Sequence, residues 1–492
     1  MVNSIQYFEE KCIKNFEKLE DDFIKDPKKL AEYVQGLTNE LHALGLRMIQ
    51  ESLEHMNQML RDSLVRKSRW EVEKDSQKQL LTSLGSVQFT KTLFRNKETG
   101  QSAYLLDQIM GIEPHERMSE DAEAKLYEEA VQTSYRRGGE MCSLMGNVSK
   151  QTVKNKLHKL EFPEFQKLDR EKKVVEYLYI DADEDHVSLQ FREKKGDLEV
   201  STNHRKNNCL ITKLIYVYEG IEPESPRSSR HKLVNPYYFS RVCSGEENEK
   251  LWDEVYEYMD SCYDLEKVKK VYINSDGGGW IKAALKRISG TVHCLDEFHL
   301  EKYLVRLTSH MKDSATEARA EIREAIRSNQ KKTFEDIVER LKSALTGEAG
   351  NKRVEEGAEY ILSSWEAARV RLMREEGVSS CSAEGHVSHV LSSRMSSRPM
   401  GWSVTGAAKM ARLRAYQLNG GNMLELARYQ KKELAKAAGA EEIEKEILSS
   451  TQILESEKNR HGMVGKYMEC IHHSIITDIK KKAYFNKHIW GL

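Results

Sequence analysis

A chain of 492 residues, 39% hydrophobic and 32% charged, exceeds one ordinary core and is expected to fold as roughly two to four structural units. Its net charge of −1 does not advertise a nucleic-acid partner, although an acidic site can offset local basic faces. No run of about 18 apolar residues suggests a membrane span, the charged start MVNSIQYFEEKCIKNFEKLEDD lacks the apolar stretch of a secretory leader, and eight cysteines without a CxxC pair argue against a zinc ribbon or disulfide framework and for reduced cytosolic thiols.

Residues 1–82 read as long amphipathic helices, because Ile5, Phe8, Cys12, Phe16 and Leu19, and again Leu46, Ile49, Leu53, Met56 and Leu60, recur every three or four positions. The alternation in GSVQFTKTLFRNKETG predicts a β-hairpin or ribbon. A helix over EDAEAKLYEEAVQTSYRRGGE precedes VSKQTVKNKLHKL, where Ser149 can cap a helix with Val153 and Leu157 on one side and Lys150, Lys154, Lys156 and Lys159 exposed. Helix, turn and capped basic helix have the sequence shape of a helix-turn-helix, and a plain helical hairpin looks the same.

EFPEFQKLDREKK reads as a linker, after which the texture turns to strand. VVEYLYIDAD, HVSLQFRE and NCLITKLIYVYEG are three β-rich runs, residues 223–245 read as loop, and NEKLWDEVYEYMDSCYDL reads as helix. VKKVYINSDGGGW is a buried strand entering a glycine-rich turn, and TVHCLDEFHL is a strand running into a helix. This order suits an α/β layer. From 300 to 375 the pattern is helical: Ile322, Ala325 and Ile326, then Phe334, Ile337, Val338, Leu341 and Leu345, then Ile361, Trp365 and Leu372 mark apolar faces.

Hard divalent cations favour carboxylates held on rigid elements. Asp183 ends YLYIDAD before an acidic turn at Glu184 and Asp185, and Asp181, two residues earlier on the same face, competes for the same role. Asp276 closes the apolar run VYINS and precedes three glycines that would let a backbone or phosphate approach. Asp296 and His299 stand where another strand meets a helix; His299 could contact phosphate, orient a carboxylate or serve structure alone. Glu384 begins a helix and is followed by His386, His389, Arg394 and Arg398, a density of phosphate-seeking groups. Trp402 suits a core position better than a splayed base. Three acids on separate elements can hold two Mg²⁺ ions about 4 Å apart for phosphoryl transfer.

SDGGGW, LDEFH and AEGHVSHVLSSRMSSRPMGWS, with TGQSAYLLDQIMGI, SYRRGGE and SKQTV upstream, resemble in order the ISLre-type insertion-sequence transposases, relatives of the Mutator-like DDE group. The resemblance matches the first acid to Asp183 rather than Asp181, the second to Asp276, and an Asp-x-x-His feature to Asp296 and His299. It displaces the glutamate, Glu384, by a helical insertion; here 384 − 276 = 108 residues intervene, roughly 75 of them helical in pattern. The resemblance implies a mixed α+β and α/β chain: an RNase H-like core with an all-α insertion, preceded by a mainly helical DNA-binding region. Its parts would be a helical region (1–84), a ribbon with the helix-turn-helix (85–165), the first part of the core (170–300), the insertion (301–378), and the last core helix with a basic tail (379–492).

The activity so implied is Mg²⁺-dependent strand cleavage and transfer, with Mn²⁺ as a substitute, on double-stranded DNA at element ends and target. Arg394 and Arg398 would grip phosphates, and Lys150, Lys154 and Lys156 would bind the ends. A cytoplasmic homo-oligomer, assembled on nucleoid DNA, is expected. The sequence departs from transposases of broadly similar layout in having no cysteine zinc module. A transposase-derived DNA-binding protein without catalysis, or a metal-dependent nuclease, is the alternative.

Overall fold

The computed structural model describes residues 2–165, 171–190, 209–345, 347–398 and 400–431, with 199–200, 206–207, 443 and 445. They form two compact units.

The first unit takes in the residues up to 122, with 143–146 and 431. Helices Ile13–Lys25 and Leu30–Asp62 place the three-and-four-spaced apolar residues on one side. Trp70–Leu81 is a strand, not the end of a helix, and pairs antiparallel with Ser86–Asn96. Trp70 and Leu80 are buried with Phe89 and Phe94 against Leu53 and Leu60 of the long helix, so packing across the hairpin overrides a helical propensity that is weak in isolation. Asn57 secures the contact: its side chain donates to Thr92 Oγ1 (3.1 Å) and accepts from the Thr92 amide (3.0 Å).

The second unit covers 123–142 and 147–430. Helix Tyr135–Met141 packs on α1 (Lys150–Lys159), whose N-terminus is capped by Ser149. A Cβ on Gly139 would fall 2.3 Å from the Val148 carbonyl oxygen, so only glycine permits this approach. Gly139→Ala is expected to cost about 1–3 kcal/mol, read as a drop of several degrees in the melting temperature of this unit.

The centre of this unit is one five-stranded sheet of β1 (Tyr177–Ser188), β2 (Cys209–Tyr218), β3 (Tyr237–Arg241), β4 (Lys270–Ser275) and β5 (Thr291–Leu295), in the order β3-β2-β1-β4-β5. β1, β2 and β3 are antiparallel neighbours, while β4 runs parallel to both β1 and β5. Two sequence expectations are corrected. The acidic stretch 183–185 is not a hairpin tip: β1 runs through it, and Glu184 and Asp185 stay in register with Lys213 and Thr212. Residues 237–241 are not loop but the edge strand β3, paired with 213–217; the polar and proline-bearing segment around them hid a short aromatic run.

One sheet face is apolar: Leu178, Ile180, Ala182, Ile215, Val217, Val271 and Ile273 pack on Leu251, Trp252, Val255 and Met259 of α2 (Glu247–Cys262). After β5 come α3 (Glu297–Thr308), α4 (Ala315–Arg327), α5 (Lys331–Ser343), α6 (Glu348–Ser363) and α7 (Trp365–Met373). They share a core of Leu300, Leu304, Ile322, Ile326, Phe334, Leu341, Ile361 and Trp365. The chain then returns to the sheet in the short α8 (Ala383–Val387), and α9 (Val404–Leu418) packs on β3. The tail 480–492, read above as basic and aromatic, lies outside the described residues.

Candidate active site

The polar face of the sheet carries the candidate residues in rows. Because Ser275 is level with Ala182 and with Leu295, the next residue of each strand brings Asp183, Asp276 and Asp296 into one row at the C-terminal ends of β4 and β5. Two residues down each strand the row is Asp181, Asn274 and Cys294. The period-two alternation of strands places both rows on the side away from α2.

The two rows differ in chemistry. Asp181 is 0% exposed and accepts hydrogen bonds from Tyr216 Oη (2.7 Å), Tyr218 Oη (3.0 Å), Asn274 Nδ2 (2.7 Å) and the Ser382 amide (3.0 Å). Buried Arg371 extends the network, donating to Asn274 Oδ1 (2.8 Å), the Leu295 carbonyl (2.8 Å) and the Ser379 carbonyl (2.6 Å). Burial pushes the Asp181 pKa up against these donors. Asp181 therefore has its lone pairs engaged and ties α8 to the sheet.

Asp183 is half-buried, and its only described hydrogen bond is from the Glu184 amide (2.8 Å). Its pKa is raised to about 6, first by burial and further by the negative charges of Asp276 and Asp296, with His299 opposing. Asp276 accepts from the Gly278 amide (2.9 Å), and its carbonyl is held by Tyr360 Oη (2.5 Å). Gly277 has φ +87°, and a Cβ there would lie 2.9 Å from Ser364 Oγ, so this turn needs glycine. Asp296 caps α3 through the Phe298 amide and bonds His299 Nδ1 (2.9 Å). Burial opposes its ionisation, but these hydrogen bonds outweigh that and leave its pKa below the usual range. The same bond, helped by the surrounding carboxylates, raises the pKa of His299. On the other side of the turn, His293 Nε2 meets Ser275 Oγ (2.8 Å), and burial pushes its pKa down to about 4.

The remaining candidates are dispersed. Glu384 is exposed on α8, two residues after Ser382, and stands outside the row of aspartates. Among the described residues no group of three His, Cys, Asp or Glu side chains is close enough to hold a metal ion. Arg398 is exposed, but Arg394 is only 4% exposed, with Nε donating to the Ala130 carbonyl (3.1 Å) and its guanidinium over the Trp402 ring. Arg394 is therefore not a surface group, as Arg398 is. Lys150 and Lys154 are exposed on α1, whereas Lys156 turns to an ion pair with Glu123, so the three do not form one basic face. Trp402 is core, its Nε1 bonded to the Met395 carbonyl.

Sequence reasoning missed Asn274, Arg371, Tyr216, Tyr218 and Tyr360. Asn274 and the tyrosine pair carried a signal, since each lies two residues from another polar-face residue on an alternating strand. Arg371 carried none, sitting in a helix whose other residues read as ordinary packing.

No helix among the described residues is long and apolar enough to cross a membrane. Comparison with solved structures aligns the Drosophila P element transposase strand transfer complex with 72% of this chain and 86% of that chain, at 10% identity and a TM-score of 0.21, too loose a superposition to bear on fold or chemistry. The sequence relatives are much nearer. A UPF0236 protein of Caldanaerobacter subterraneus subsp. tengcongensis, whose designation joins eleven locus numbers, is 33% identical over 439 residues, covering 89% of this chain and 88% of that protein. A UPF0236 protein from the vanSb 3′ region of Streptococcus gallolyticus is 25% identical over 417 residues, covering 81% and 85%. The sequence model of the Uncharacterised protein family (UPF0236) matches residues 24–433, and on this evidence the chain belongs to that family.

Proposed function

We propose that the chain is the transposase of a bacterial insertion sequence: a DDE-type enzyme that binds element ends and carries out divalent-metal-dependent DNA cleavage and strand transfer. The observation that carries this reading is the row of Asp183 within β1 and Asp276 and Asp296 just past the ends of the parallel strands β4 and β5, with Asp183 pushed up to about 6 by burial and its acidic neighbours. Crowded carboxylates suit a hard cation. The strand order β3-β2-β1-β4-β5, three antiparallel strands followed by two parallel ones, supports an RNase H-like core interrupted by the helices α3–α7. A relative designated by eleven loci of one genome is what a sequence that copies itself would leave behind.

The donor set fits the metal in part. Asp183 and Asp276 would hold it, and Glu384 would join them only if α8 shifts. Mg²⁺ or Mn²⁺, when bound, would supply charge neutralisation and an activated water or 3′-hydroxyl. The chain's own residues do the positioning: Tyr360 and the Gly278 amide fix the Asp276 turn, while Asp296 holds the His299 ring through Nδ1. No covalent protein–DNA intermediate is needed. The exposed position of Glu384 favours one second reading, a transposase-derived DNA-binding protein without catalysis.

Labelled DNA bearing the source element's ends, incubated with the full chain and Mg²⁺ or Mn²⁺, separates the two. Joined products that vanish with EDTA, and with Glu384→Gln, are expected. End binding without any nick or join would overturn the catalytic reading and leave the DNA-binding one; nicks without joining would make the protein a nuclease.

A further inference from the structure

A cavity lies in the same unit, away from the aspartate row. It has a volume of about 410 Å³ and opens between α1, the start of α9 and the segment after β1, a size in the ordinary range for small-ligand sites. Among the described residues its walls carry Arg136, Lys150, Lys154, His158 and Arg394, and no carboxylate. In a chain with 78 acidic against 77 basic residues, that segregation of charge is not what composition alone would give.

The least exposed of these cations carries the argument furthest. Arg394 is 4% exposed, yet its described partners are the Ala130 carbonyl, Met400 Sδ and the rings of Tyr135 and Trp402. A guanidinium buried without an anion is costly, and burial, with Arg414 and Arg398 adding repulsion, lowers its pKa to about 10. Lys150 and Lys154 make no ion pair among the described residues. His158 is held towards its neutral form by burial and by Lys154. An anion would satisfy this group of cations.

We propose that this pocket binds one unpaired, phosphorylated nucleoside, with the phosphate against Lys150, Lys154 and Arg394 and the base edge against Gln151 and Gln190. The two amide side chains line the same cavity, and amides are suited to paired donor–acceptor contacts with base edges. Met400 and Trp402 supply an apolar floor. A duplex is too wide to enter such a cavity, whereas a single nucleotide fits. The site is also placed for a strand passing the aspartates. Gln190 follows the end of β1, and its amide donates to the Trp402 carbonyl (2.9 Å). The five residue steps from Asp183 to Ser188 span roughly 16 Å at about 3.3 Å per residue, some five nucleotide steps of a duplex. The inference does not rest on strand transfer, because a DNA-binding protein without catalysis would keep the same pocket.

The test uses the full chain, a fluorescein-labelled duplex with a short single-stranded overhang, the blunt duplex, and deoxyadenosine monophosphate as competitor. Wild type is expected to bind the overhang duplex more tightly than the blunt one. Lys150→Glu with Lys154→Glu should weaken overhang binding by about tenfold or more and lower the slope of log affinity against log salt by about two. Gln190→Ala, an exposed position that leaves the charge unchanged, should erase the overhang preference without altering that slope. Lys352→Glu, on the exposed side of α6, should leave all of these unchanged. Displacement of the overhang by the mononucleotide would assign the pocket to free nucleotides, and its failure to displace would assign it to a DNA strand; both keep the proposal. Equal binding of overhang and blunt DNA by wild type, with no effect of the nucleotide, would overturn it, as would a loss with Lys352→Glu equal to that of the pocket variants.

Discussion

Replacing Asp276 by alanine is expected to lower strand transfer by about a thousandfold or more while leaving the fold and DNA binding intact. A bound divalent ion supplies several kcal/mol of transition-state stabilisation, and each ~1.4 kcal/mol is a tenfold change in rate. Asp276 sits on the turn after β4, held through its backbone by Tyr360, so removing the carboxylate leaves the turn's main-chain contact in place. Asp183→Ala should behave alike. It should also abolish any change in protein fluorescence or melting temperature that Mn²⁺ produces in wild type, a readout that needs no DNA. If Asp183→Ala and Asp276→Ala both retain joined product near the wild-type level, the row of aspartates is not the reaction centre.

Asp181→Ala should also lose activity, for a different reason. It removes the acceptor for two tyrosine hydroxyls, the Asn274 amide and the Ser382 main-chain N–H. Each buried donor left unpaired costs about 1–3 kcal/mol; partial relaxation brings the expected sum to about 3–5 kcal/mol. For a unit of this size that is a fall of roughly 10 °C in melting temperature, accompanied by a lower urea midpoint. Asp181→Asn, which keeps the volume, should lose less. Its activity per folded molecule should stay close to wild type, whereas Asp183→Asn should be fully folded and inactive. A soluble Asp181→Ala protein melting at the wild-type temperature would mean that the network contributes little.

The apolar stripes of residues 322–372 were plain in the sequence, because helices that bury one face against each other must repeat it every three or four residues. Asp276 was legible for a similar reason: an apolar strand, an acid and a run of glycines leave few other structures. The limits of β1 were not, since an acidic pair inside a strand reads as a turn until its partner strand is known, and Glu184 opposite Lys213 is visible only in the register. The strand Trp70–Leu81 was lost to the helical pattern before it, because eight of its twelve residues from WEVEKDSQKQLL are polar or charged and only pairing with Ser86–Asn96 reveals it. The different surroundings of Asp181 and Asp183 depend on Tyr216, Tyr218 and Ser382, which lie from 35 to 201 positions from Asp181 along the chain. Local patterns carry no information about such distant partners.

The hydrogen bond from the Ser382 amide to Asp181 spans 201 residues, and that distance sets a timetable. At about 5–20 residues per second, the ribosome needs roughly 10–40 s between releasing the strand and releasing the segment that closes over it. During that interval α1 and its lysines already exist, and Glu384 does not. A gene copy truncated or frameshifted within α3–α7 would freeze the protein at that stage, with the lysines of α1 encoded and Glu384 missing.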